Sequence, residues 1–287
     1  MAKSSLGIWV AGARPRTLPA AVAPVLVASA LAGSAFNPVT ASLALLVSLA
    51  LQVGVNYAND YSDGIRGTDN DRIGPVRITA DGLASPAQVR SAAFIAFFVA
   101  ACAGLGLAFE TSWWLIAVGA VCIAAAWGYT GGKNPYGYSG LGEVSVFTFF
   151  GLVATMGTYY TQTEKITLLS FIVAIPMGAL ACAILAVNNI RDRAQDELVG
   201  KKTLAVRLGD VKARRMFVAL LVLTHVAAVG TLISTALLTI LVAPMSYSIS
   251  KLVLSGVSGK DLIPVLGRTG KLQLVFAIVF AVALAIQ

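Results

Sequence analysis

The sequence predicts an all-α fold: a polytopic membrane bundle of about nine transmembrane helices around a central cavity, with residues 1–287 as a single domain. Three observations carry that expectation. Hydrophobic residues make up 57% of the 287-residue chain and charged residues 12%, whereas soluble domains carry about 25% charge. Apolar runs of about 20 residues, the length that crosses a bilayer, recur from one end to the other. The cations fall on one side of the spans so defined.

The elements follow in chain order. The opening stretch "MAKSSLGIWVAGARPRTLPAAV" is not expected to be a signal peptide, because Arg14 and Arg16 break the apolar core such a peptide needs. It reads as a short amphipathic segment lying on the membrane. Spans are expected at 18–36, 40–60, 91–109, 112–130, 143–160, 168–190, 214–232, 234–253 and 271–287. Only Gly230, Ser234 and Thr235 mark a turn between the seventh and eighth, but that stretch is twice the length one helix needs. With nine spans, one side collects 20 of the 21 Lys and Arg residues, leaving Lys165 alone on the other. The positive-inside rule then puts the N-terminus in the cytoplasm of a cell inner membrane and the C-terminus outside. This topology accounts for the net charge of +8, so no nucleic-acid partner is expected. Cys102, Cys122 and Cys182 all lie in apolar runs and read as packing residues.

The outer loops are short. The inner loops 61–90 and 191–213 are long and polar, and chemistry is expected there. Each opens on an acidic cluster, "NYANDYSDGIRGTDNDR" at 56–72 and "NNIRDRAQDELVGKKTLAVR" at 188–207. The second lies about 130 residues after the first, a weak internal echo. Asn188, Asp192 and Asp196 stand one turn apart on one helix face. Asn59 and Asp63 repeat the spacing, as do Asn56 and Asp60. Gly64 and Gly67 suggest that the helix then unwinds and that Asp69 reaches back from a loop. Oxygen donors without nearby His or Cys suit a hard cation such as Mg²⁺, which is usually shared with substrate phosphates; zinc is disfavoured. Arg66, Arg72, Arg77, Lys201, Lys202 and Arg207 trail the two clusters. Carboxylates with bound Mg²⁺ and a cationic rim make a diphosphate site. A solvated loop is the plainer reading of either cluster alone; the pair, on one side and with one spacing, argues against it.

"NDYSD" with Asp69, and "DRAQD", resemble the paired Asp-rich motifs of the UbiA superfamily of intramembrane prenyltransferases. Together with "ARPRTLPAAVAPVLVASA", "YTGGKNPYGYSGLGEVSVFTFFG" and "KKTLAVRLG", they resemble its 1,4-dihydroxy-2-naphthoate branch in menaquinone synthesis. The first motif departs from the superfamily pattern: Gly67 stands where its last aspartate is usual, and the next is Asp69. The resemblance implies Mg²⁺-dependent transfer of a prenyl group from a polyprenyl diphosphate to the naphthoate, with loss of CO₂ and diphosphate, in contact with membrane lipid. It implies Asp63, Asp69, Asp192 and Asp196 as metal ligands. Asp69 would also be catalytic, with Tyr129 and Lys133; Asn59 and Asn188 would hold the metal or a diphosphate oxygen, and Arg72, Arg77 and Lys201 would face the diphosphate, with Lys202 anchoring its loop. Tyr129 would stabilise an allylic cation through its ring face, and Lys133 would touch diphosphate or acceptor. For some residues two readings stand. Asp60 is a ligand or a solvated neighbour, Glu143 an acceptor contact or a helix cap, and Arg14 and Arg16 a carboxylate site or membrane anchors. His225 is expected to make an interhelical hydrogen bond. The alternatives are a sister enzyme for another acceptor, such as 4-hydroxybenzoate or homogentisate, and a cation-coupled transporter. Transporters place such carboxylates nearer the bilayer midplane.

Overall fold

The computed structural model describes residues 5–69 and 74–287, and all regular structure among them is helical. In chain order the helices are α1 (Ser5–Ala13), α2 (Pro19–Leu31), α3 (Pro38–Arg66), α4 (Pro86–Glu110) and α5 (Leu115–Gly128). Then α6 (Gly142–Val146) runs through a wider π-helical stretch, Phe147–Val153, into α7 (Ala154–Thr163). The chain continues as α8 (Leu168–Leu198) and α9 (Leu204–Val229). A 3₁₀ stretch, Ser234–Val242, leads into α10 (Ala243–Leu254), and α11 (Leu262–Ala285) closes the bundle.

Among the described residues, five helical stretches are long and apolar enough to cross a membrane: Pro38–Arg66, Pro86–Glu110, Leu168–Leu198, Ser234–Leu254 and Gly259–Ala285. Pro19–Leu31 and Leu115–Gly128 are shorter apolar helices. The helix starts are written locally. Asn37 accepts from the amides of Val39 and Thr40 at the head of α3, and Ser85 with Gln88 forms a capping box on α4. Thr167 with Ser170 does the same on α8.

Several ends differ from expectation. The apolar runs stop at 60 and 190, but α3 and α8 continue to Arg66 and Leu198. Backbone hydrogen bonding does not end where hydrophobicity does, so Asp60, Asp63, Asp192 and Asp196 ride on helix, as their spacing predicts, and Asp69 follows in the turn beyond α3. Gly67, with φ 72°, then caps α3, its amide turned back on the Asp63 and Gly64 carbonyls. The last helix begins at 262, not 271, and includes Arg268 and Lys271. α1 has no polar face; its Leu6 and Val10 are exposed, and Trp9 packs edge-on to Tyr57 of α3. The core is built on α2, α8, α9 and α11. A Cβ on Gly151 would lie 2.6 Å from the Gly178 Cα, so two backbones touch where small residues allow it. His225 bonds Ser246 at 2.9 Å, joining α9 to α10 as expected.

Candidate active site

The C-terminal ends of α3 and α8 meet. Lys201, just past α8, places its Nζ 3.6 Å from Asp63 Oδ2 and 3.9 Å from Asp196 Oδ1. Both carboxylates are buried, and they come from helices 130 residues apart in sequence, so one ammonium serves as their shared counter-ion. The other two candidate metal ligands are also matched by cations. Arg77 Nε lies 3.1 Å from Asp69 Oδ2. Arg191 grips Asp192 with two hydrogen bonds, Nε to Oδ1 at 2.7 Å and a terminal nitrogen to Oδ2 at 2.8 Å. Among the described residues no three His, Cys, Asp or Glu side chains gather at metal-binding spacing. The donors nonetheless fit Mg²⁺. Two buried carboxylates already converge on one positive charge, and Mg²⁺ typically takes one or two carboxylates and fills its remaining positions with water and phosphate.

Asp60 is not a solvated neighbour. It is fully buried and accepts from the amides of Ile78 (3.1 Å) and Thr79 (2.8 Å), fixing the segment that carries Arg77. Arg66 donates to the carbonyls of Thr130 and Gly132, tying the loop after α5 to the end of α3. This tie holds Lys133 at the rim, exposed and outside the cavity lining, so the structure does not bring it into the cavity beside Tyr129. Arg72 lies outside the described residues.

Below the acidic lip opens a central cavity of about 260 Å³. Arg14, Gln52, Asn56, Asn59, Tyr129 and Asn188 line its polar end. Asn59 and Asn188 each precede a lip aspartate by one turn, so the cavity mouth and the lip are adjacent. Asn59 Oδ1 accepts from Thr130 at 2.7 Å. Tyr129 packs edge-on to Tyr136, centroids 5.5 Å apart. Most of the remaining lining, Leu51, Val55, Phe149, Phe150 and Leu185 among it, is apolar, interrupted by hydroxyls such as Ser48, Thr158 and Thr161. From Asn59 to Ala44 the lining follows α3 for about 22 Å at 1.5 Å per residue. Arg14 reaches this space from a left-handed backbone, φ 53°, whereas Arg16 is exposed. Glu143 is buried and takes a hydrogen bond from Asn189 at 2.9 Å, which joins α6 to α8.

Sequence reasoning missed Tyr138, whose hydroxyl donates to Asp63 Oδ1 at 2.6 Å. Burial, then the neighbouring Asp63 charge, pushes its phenol up, so it remains a donor. The resemblance had already singled out its stretch, "NPYGYSG", but no spacing rule links it to Asp63. The sequence gives no sign of the Arg191–Asp192 pair, because adjacent residues on a helix do not ordinarily face each other.

An all-helical bundle with a lip of carboxylates and cations over a deep apolar cavity has the form of an enzyme for an amphiphile with an anionic head. The model of the UbiA prenyltransferase family matches residues 21–261, and the chain belongs to that family. It is 48% identical over 286 residues to a Mycobacterium tuberculosis protein named 1,4-dihydroxy-2-naphthoate octaprenyltransferase, covering 98% of each chain. An Escherichia coli protein of the same name is 35% identical, covering 96% of this chain and 94% of that one. Among solved structures, an apo UbiA homolog from Aeropyrum pernix superposes with TM-score 0.69 at 13% identity, over 94% of this chain and 97% of that one. One from Archaeoglobus fulgidus, bound to DMAPP and Mg²⁺, gives 0.62 at 12% identity over 96% and 99%. At such identities these structures speak to the fold.

Proposed function

We propose that this chain transfers a polyprenyl group from its diphosphate to 1,4-dihydroxy-2-naphthoate, with loss of CO₂ and diphosphate, as a nine-span protein of the cytoplasmic membrane with its acidic lip on the cytoplasmic side. One observation carries the reading: Asp63 and Asp196, from two helices, converge on one cation at the mouth of an apolar cavity. The relatives that share nearly half its residues over almost its whole length point to the acceptor.

Asp63 and Asp196 would hold Mg²⁺, with Asp69 and Asp192 as the further carboxylates of the site, each now paired with an arginine. Bound Mg²⁺ supplies the charge that stabilises the departing diphosphate. Arg77, Lys201, the rim residue Lys133 and Arg72, which the sequence places in the same loop as Arg77, would meet its outer oxygens. Asn59 and Asn188 orient the diphosphate end at the cavity mouth. Tyr129 turns toward the allylic carbon, where its ring stabilises positive charge. The apolar walls keep water from that cation and receive the tail. Arg14, on the cavity wall, suits the acceptor's carboxylate.

The test is purified chain with radiolabelled prenyl diphosphate and either 1,4-dihydroxy-2-naphthoate or 4-hydroxybenzoate, repeated with EDTA and with Asp63→Ala and Asp192→Ala. Product from the naphthoate alone, lost in all three controls, is expected. Product from 4-hydroxybenzoate alone rejects the acceptor.

A further inference from the structure

Tyr138 stands on the short turn Tyr136–Ser139 between α5 and α6, and three parts of the lip close on it. Its hydroxyl donates to Asp63 Oδ1 at 2.6 Å, and Thr68 Oγ1 lies 3.4 Å from the Tyr138 hydroxyl oxygen. Lys201 Nζ lies 4.8 Å from its ring centroid, and Arg66 Cζ lies 5.4 Å from it. Its carbonyl accepts the Lys202 amide at 3.0 Å. The turn, the end of α3 and the link after α8 are therefore fastened through one side chain.

The effect on Asp63 is directional. Oδ1 is committed to the phenol, and Oδ2 is the oxygen that faces Lys201, the side on which Asp196 lies. A carboxylate free to rotate would present either oxygen or both. We propose that Tyr138 is a positioning residue for the divalent-cation site: its hydroxyl fixes which Asp63 oxygen faces the ion, while its ring steadies the lysine that otherwise fills that place. The inference rests on the reading of Asp63 as a metal ligand. It adds a residue to which no role was given from sequence, acting through Asp63 rather than on substrate.

Outer partners of metal ligands typically contribute about 10- to 100-fold to metal affinity. The experiment uses the full chain in detergent with inorganic diphosphate, so no turnover intervenes. Free Mn²⁺, which shares the oxygen-donor preference of Mg²⁺, is followed by electron paramagnetic resonance. Tyr138→Phe keeps the ring and removes the hydroxyl. It is expected to raise the Mn²⁺ concentration for half-occupancy about ten-fold or more. In an Asp63→Asn background the same substitution should change it less than about two-fold, because the two side chains act as one unit. Equal shifts in both backgrounds show a general loosening of the lip and overturn the proposal. No shift in either background also overturns it. If the unsubstituted chain binds no Mn²⁺, the metal reading of the site falls and this assignment falls with it. If it binds Mn²⁺ and Tyr138→Phe binds equally well, only the role of Tyr138 falls.

Discussion

Replacing Asp60 with alanine should release the segment that presents Arg77. Asp60 is 0% exposed and receives two amides, from Ile78 at 3.1 Å and Thr79 at 2.8 Å. Asp81 receives the preceding one, from Arg77 at 3.0 Å, so two carboxylates hold three consecutive N–H groups. Hydrogen bonds to a charged acceptor contribute about 1.5–3 kcal/mol each. Thr79 is partly exposed, and water would recover some of the loss, so the lower end applies, about 3 kcal/mol for the pair. At 1.4 kcal/mol per decade that is roughly a hundred-fold shift in the local opening equilibrium. Amide hydrogen exchange over residues 76–84, in detergent, should accelerate by about that factor. Asp60→Asn keeps one acceptor and should give roughly ten-fold. The affinity for inorganic diphosphate should fall in parallel, since Arg77 loses its fixed position. Exchange left unchanged in Asp60→Ala would refute the argument that this buried carboxylate organises the loop. Faster exchange with unchanged diphosphate affinity would instead remove Arg77 from the ligand site.

Other outcomes follow from the same contacts. Lys201→Met takes away the charge between Asp63 and Asp196 and should weaken prenyl diphosphate binding by about ten-fold or more, a charge-assisted contact being worth roughly 1.5–3 kcal/mol; unchanged binding by isothermal calorimetry would argue that Lys201 is only a counter-ion. Arg191→Met leaves Asp192 buried without its bidentate partner and should destabilise the chain by about 3–5 kcal/mol, read as a lowered apparent melting temperature that added Mg²⁺ partly restores. Gly151→Ala puts a methyl 2.6 Å from the Gly178 Cα, so the backbones must separate, at about 1–3 kcal/mol, without a change in metal affinity; an unaltered melting temperature would contradict that close approach.

The helical class and the family were legible because a membrane chain writes them in long apolar runs and in two Asp-rich stretches on the same side. The ends of α3 and α8 were not. Hydropathy reports where lipid ends, and both helices continue past that point as polar turns. The spacing of Asn59 to Asp63 and of Asn188, Asp192 and Asp196 gave the shared faces, since local periodicity fixes them. It did not give the partners. Asp60 and Asp63 are three residues apart on one helix, yet one binds loop amides and the other faces Lys201 and Tyr138, and only the packing of 76–81 and 136–139 against α3 separates them.

The position of the carboxylates on their helices is itself informative. Asp60 and Asp63 occupy the last two turns of α3, and Asp192 and Asp196 the last two of α8. A helix C-terminus carries about half a unit of negative charge, so these are among the least favourable places for more. Burial sharpens the conflict, because a carboxylate removed from water without a counter-charge is strongly destabilised. Such an arrangement persists only where positive charge is supplied, and the lip supplies it through Arg77, Arg191 and Lys201. Those cations are not passive. An arginine paired with a carboxylate is equally suited to phosphate, so a ligand that brings phosphate and metal together can exchange both partners at once without leaving a bare charge on either side. Metal alone would have to displace a resident cation, and diphosphate alone would face the carboxylates. If the lip is the metal–diphosphate site proposed above, the two should arrive as one species. Diphosphate should tighten Mn²⁺ binding, and Mn²⁺ should tighten diphosphate binding by the same factor. Independent affinities for the two would show that the acidic helix ends and the cations around them do not form a single site.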